Sequence, residues 1–114
     1  MALQPLEVVV DAAPGAAIVR LQGDITADSV DRMRQGIAKA LAERPQRLVI
    51  DLTATSFLSS PGLAVMVQAM QLSQRAGAAL VLAGANERVR GIFEISRLTD
   101  VFQMRPSVED ALRG

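Results

Sequence analysis

Residues 48–74 read LVIDLTATSFLSSPGLAVMVQAMQLSQ, and this stretch decides the fold. Residues 48–52 are an apolar run interrupted only by Asp51, the pattern of a strand buried on both faces. A hydroxyl-rich turn follows, and Ser59-Ser60-Pro61-Gly62 then steps into a long helical pattern. Proline is suited to the first helical position, where its missing N–H costs nothing. That places Ser60 at the N-cap, with its side chain accepting from an orphan backbone amide. A serine at the positive end of a helix is also a favourable place for a phosphoryl group. On this feature alone, ordinary capping is the simpler reading.

Working outward, strands and helices alternate. Residues 6–10 read as a first strand, 12–15 as a Pro-Gly turn cluster and 17–22 as a second strand, so the two form an antiparallel hairpin. Thr26 or Asp28 can cap a helix running to about Arg44, with Val30, Met33, Ile37 and Leu41 on one face. The Ser-Pro-Gly helix runs to about Ala76, and Gly77 is placed to stop it. Residues 78–82 form another buried strand. Asn86 caps a third helix, residues 101–104 form a short last strand, and Ser107 caps a terminal helix with Asp110 at its third position. This order predicts a single α/β domain spanning 1–114, with a mostly parallel sheet, an antiparallel N-terminal edge hairpin and about four helices.

Composition narrows the function. The 114 residues carry twelve bases and twelve acids, whereas a nucleic-acid or anionic-membrane binder needs a surplus of positive charge. With no Cys and no His, the chain itself cannot supply a thiol nucleophile, a Ser-His-Asp triad or a typical zinc site. No apolar stretch approaches a membrane span, and the start lacks a signal-peptide pattern, so the expected location is the cytoplasm with no membrane insertion. Enzymatic readings are poor. There is no G-x-x-x-x-G-K loop, and residues 84–86 are a strand-to-helix turn. Asp24 and Asp51 are the best candidates for an acid/base pair, but acids at strand ends more often hold loops. A phosphoacceptor-aspartate receiver domain is rejected because the only lysine, Lys39, lies in the first helix.

The Ser-Pro-Gly helix carries no charge from Gly62 to Gln74. Leu63, Met66, Val67 and Met70 make an apolar stripe, while Ala64, Gln68 and Gln71 make a neutral face. Exposed helix faces normally carry Lys and Glu. The neutral face is therefore either buried by the fold or kept clear for a partner.

Three segments in order carry a family resemblance: VRLQGDIT at 19–26, LVIDLTATSFLSSPGLAVMVQAM at 48–70 and VRGIFEISRLTDVFQMRPSVEDAL at 89–112. The chain resembles a STAS domain of the bacterial anti-sigma factor antagonist type. The resemblance implies a protein that is not an enzyme and has no cofactor of its own. Its implied partner is an anti-sigma factor that is also a serine kinase of the histidine-kinase-like ATPase fold. Binding frees the sigma factor; the kinase then phosphorylates the antagonist with its own ATP, the complex dissociates, and a PP2C-type phosphatase resets the cycle. Aligning on Gly62 and Leu63 puts the phosphorylated serine at Ser60. The implied switch loop and partner surface comprise Gly23, Asp24, Thr26, Thr55, Ser56, Ser59, Pro61, Gly62, Ala64 and Gln68. The sequence departs from the family in having Ser59 in place of an acid and Pro61 after the phosphorylated position. Any electrostatic contrast would then rest on the phosphate alone, and Pro61 deletes one amide, leaving those of Gly62 and Leu63 for the phosphate. The alternative is a STAS subunit that never cycles, acting as a structural piece of a lipid-transport ABC complex or a signalling scaffold.

Overall fold

A computed structural model describes residues 3–113. Five strands form one sheet in the order β1-β2-β3-β4-β5: Glu7–Ala13, Ala16–Gln22, Arg47–Asp51, Ala79–Ala83 and Gln103–Arg105. β1 and β2 are antiparallel and the remaining neighbours are parallel. The helices are α1 (Val30–Ala42), α2 (Ser60–Arg75), α3 (Glu87–Ile95) and α4 (Val108–Arg113). The expected α/β architecture with its antiparallel edge hairpin is therefore the observed one.

Side-chain alternation along the central strands sorts the core onto the two sheet faces. Val19, Leu21, Leu48, Ile50, Leu80 and Leu82 pack with Met33 and Ile37 of α1, Met66 of α2 and Val89 and Phe93 of α3. The intervening residues Ile18, Val49, Val81 and Ala83 face the other way, where α4 covers them with Ala111 and flanking Val108 and Leu112. β3 is central and buried from Leu48 to Asp51, as its apolar run requires. Arg47 fixes α4 by donating from Nη1 to the carbonyls of Ala111 and Leu112 at 2.9 and 3.0 Å.

Several boundaries differ from the sequence reading. β1 continues through Ala12 and Ala13, because pairing with Ala17 and Ala16 across the hairpin outweighs the weak strand preference of alanine. α1 starts after Ser29, not at Thr26 or Asp28, and ends at Ala42. Ser29 does not cap it by side chain. Its hydroxyl instead accepts from the Thr26 amide at 2.8 Å, closing the preceding turn. The last strand begins at Gln103, because Val101 and Phe102 lie in a turn whose amides donate to Leu98 O. That turn brings Phe102 edge-on to Phe93, with ring centroids 5.3 Å apart. Asn86 and Ser107 cap α3 and α4 as expected, accepting from Val89 N at 2.9 Å and Asp110 N at 3.1 Å.

Candidate functional site

Three loops meet at the C-terminal ends of the parallel strands, the usual place for sites in open α/β sheets. The loop after β2 is stitched to the loop after β3 by backbone bonds: Gly23 N to Ala54 O at 3.0 Å, Ile25 N to Phe57 O at 2.9 Å and Ser59 N to Ile25 O at 2.9 Å. Ile25 and Leu58 form an isolated parallel bridge, and both are buried. Thr55 is 1% exposed and donates its hydroxyl to Leu21 O at 2.6 Å, while Asn86 Nδ2 donates to Thr55 O at 3.2 Å. The segment leading into α2 is therefore held from both sides.

That anchoring decides the helix start. Ser59 is in an extended conformation, and its Oγ accepts from Gly62 N at 3.1 Å. Ser59, not Ser60, is the N-cap. Ser60 is the first helical residue and Pro61 the second. Proline is tolerated there too, since none of the first four helix amides has an intrahelical acceptor. The Ser60 side chain is exposed and has no hydrogen-bond partner among the described residues. The expectation that the Gly62 and Leu63 amides remain for a phosphate is also corrected. Gly62 N is taken by Ser59 Oγ, and Leu63 N by Ser59 O at 2.9 Å.

The other candidate residues divide by burial. Ser56, Pro61, Ala64 and Gln68 are exposed, and Thr26, Ser59 and Gly23 are half-buried. Asp24, Thr55 and Gly62 are buried, so they build the loops rather than presenting side chains to a partner. Asp24 Oδ2 accepts from Gln4 N at 2.6 Å, tying down the N-terminal segment. Gly62 lies under the second loop, where a Cβ would stand 2.5 Å from Ile25 Cγ2 and 2.7 Å from Leu58 Cδ1.

Asp24 and Asp51 are both engaged structurally. Asp51 accepts from Arg20 Nη1 at 2.9 Å and from Thr53 N and Oγ1 at 2.9 and 2.5 Å. Arg20 also donates to Asp11 at 2.8 Å. The bond to Asp11, seconded by Asp51, outweighs the cost of partial burial and holds the Arg20 guanidinium above its ordinary value. Both acids are thus spent on structure, whereas Ser60 and Ser56 keep exposed hydroxyls with no hydrogen-bond partner among the described residues, and of the two only Ser60 lies in α2.

The neutral face of α2 is open. Ala64, Gln68 and Gln71 are all exposed, and Leu72, 41% exposed, continues the line Ala64, Gln68 along the helix. Sequence reasoning did not single out Leu72 or Phe57, the latter lying in the loop before Ser60 and 36% exposed. The available signal for Phe57 was an aromatic ring set among hydroxyl residues in a chain with only three Phe. No helix among the described residues is long and apolar enough to cross a membrane.

Comparison with known proteins agrees with this fold. The family model for the STAS domain matches residues 7–111. BtrV of Bordetella bronchiseptica is 32% identical over 107 residues, covering 93% of this chain and 91% of its own. The anti-sigma-B factor antagonist of Listeria monocytogenes is 30% identical over 92 residues, covering 81% and 80% respectively. The crystal structure of an anti-sigma factor antagonist from Mycobacterium paratuberculosis superposes with a TM-score of 0.87 at 25% identity, covering 96% of this chain and 92% of that one. With the matched residues running from the first strand to the terminal helix, the chain belongs to the STAS domain family.

Proposed function

We propose that this protein is a cytoplasmic anti-sigma factor antagonist whose complex with a serine-kinase anti-sigma factor is ended by phosphorylation of Ser60. The observation that carries the proposal is the exposed, unbonded Ser60 hydroxyl, fixed at the start of α2 beside a charge-free exposed helix face. The names of the Listeria and Mycobacterium relatives support the antagonist role. The partner surface comprises Phe57, Pro61, Ala64, Gln68 and Leu72, with Ser56 and Thr26 at its margin.

The physical logic is a difference in solvation. A phosphoryl group adds about −1.5 to −2 charges at neutral pH. On the free domain Ser60 faces water, so the fold tolerates that charge. In the complex the same dianion would be pressed against a packed surface and stripped of water, and the penalty falls on binding. The kinase supplies ATP, and a PP2C-type phosphatase returns the serine to its free form.

The test uses the full chain to capture its partner from native cytosol, with and without ATP. Mass spectrometry should find phosphate on Ser60 alone, and Ser60→Ala should bind the kinase but resist release by ATP. Ala64→Glu or Gln68→Glu should weaken capture at least tenfold, about 1.4 kcal/mol, with an unchanged circular dichroism spectrum. Phosphate on Ser59 or Ser56 would overturn the assignment of Ser60. A captured kinase that leaves no phosphate on the chain would favour a non-cycling STAS subunit.

A further inference from the structure

Asn86 does more than cap α3. Its Oδ1 accepts from Val89 N at 2.9 Å, and the other end of the same carboxamide, Nδ2, donates to Thr55 O at 3.2 Å. One partner is a donor and the other an acceptor, so the two bonds together fix which end of the side chain carries the oxygen. An aspartate would cap the helix equally well but would have nothing to donate. The second bond is therefore independent of the cap.

That bond crosses between two loops that lie against each other. A Cβ at Gly84 would stand 3.3 Å from Thr53 Cα. Among the described residues, Asn86 to Thr55 is the one hydrogen bond joining α3 or its cap to residues 53–59. Thr55 is held at its other polar groups as well: its amide donates to Leu52 O at 3.0 Å and its hydroxyl to Leu21 O at 2.6 Å. The residue is 1% exposed, so water cannot replace a lost partner of its carbonyl without the loop moving. With Val89 and Phe93 buried beneath it, α3 is a fixed point from which the carboxamide reaches this loop. From Thr55 the chain runs on to Ser60, steered by the bonds from Ile25 N to Phe57 O and from Ser59 N to Ile25 O.

We infer that Asn86 is a positioning residue for the phosphoacceptor. Its Nδ2 holds the Thr55 carbonyl, and with it the loop that keeps Ser59 as the cap and Ser60 exposed. The inference rests on the phosphorylation proposed above and adds a residue of another element that governs it. Asn86 acts through the loop, not by touching the kinase. A misplacement of about 1 Å can cost about 100-fold in a group transfer.

Asn86→Asp and Asn86→Ser separate the two bonds. Both keep a side-chain acceptor for Val89 N. The aspartate lacks the donor, and the serine is too short to reach Thr55 O while it caps. Only the aspartate adds a charge, so agreement between the variants excludes a charge effect. Hydrogen exchange on the full chain, followed by NMR, should leave the Val89 amide protected as in the parent. The amides of Thr55, Ile25 and Ser59 should exchange at least about tenfold faster, as a local opening. With ATP and the kinase captured by the parent chain, the initial rate of Ser60 phosphorylation should fall at least about tenfold in both variants. Parent-like rates in both would overturn the inference and leave Asn86 a cap alone. Slower phosphorylation with parent-like exchange at the three loop amides would also overturn it, since Asn86 would then touch the kinase itself. A parent chain that takes no phosphate counts against the proposed phosphorylation, and the exchange rates then decide whether Asn86 holds the loop.

Discussion

Two adjacent serines open α2, and replacing each with alanine separates their roles. Ser59 Oγ accepts from Gly62 N at 3.1 Å, whereas the Ser60 side chain makes no hydrogen bond among the described residues. Loss of a serine N-cap costs about 0.5–2 kcal/mol, typically about 1. The unfolding entropy of a 114-residue domain is about 240 cal/mol/K at the average per-residue value. Ser59→Ala should then lower Tm by about 4 °C, while Ser60→Ala should stay within about 0.5 kcal/mol of the parent, as for a surface position. Ser59→Asp should keep the cap. It would also place a negative charge at a helix start whose first turn has no acid, gaining about 0.3–1 kcal/mol at low salt. Thermal and urea unfolding followed by circular dichroism at 222 nm read all three variants. A larger loss for Ser60→Ala than for Ser59→Ala would refute the assignment of the cap, and with it the free acceptor hydroxyl at Ser60.

Gly62→Ala should destabilise by about 1–3 kcal/mol through overpacking, since the new methyl meets Ile25 and Leu58; hydrogen exchange should show faster opening at the amides of Ile25 and Ser59. Phe93→Ala should cost about 3–5 kcal/mol, because the ring is fully buried and packs edge-on with Phe102; urea unfolding measures it, and a loss below 1 kcal/mol would contradict the packing. Arg20→Met should cost about 1–3 kcal/mol, leaving Asp51 with its Thr53 bonds but without its cation. The double variant Arg20→Met, Asp51→Asn should recover part of that loss in a thermal denaturation cycle.

The chain's own pattern determined the element order and the layout of the sheet. Apolar runs at 48–52 and 78–82 can satisfy themselves only in the middle of a sheet, and the Pro14-Gly15 step fits a hairpin. Asn86 and Ser107 were legible as caps because each stands alone before its helix. At Ser59 and Ser60 local chemistry offers two equivalent caps, and Pro61 suits either start. The choice was made by a distant segment: Ile25, buried after β2, accepts from Ser59 N and keeps Ser59 extended. The same stitching buried Asp24, Thr55 and Gly62, which sequence reading grouped with the partner surface, and left Phe57 and Leu72 in the open. Burial at these positions depends on which loops lie against one another, a property of the folded chain that short-range periodicity does not encode. The free hydroxyl at Ser60 is the joint result: sequence supplies two serines before a proline, and tertiary contacts spend one of them on the helix.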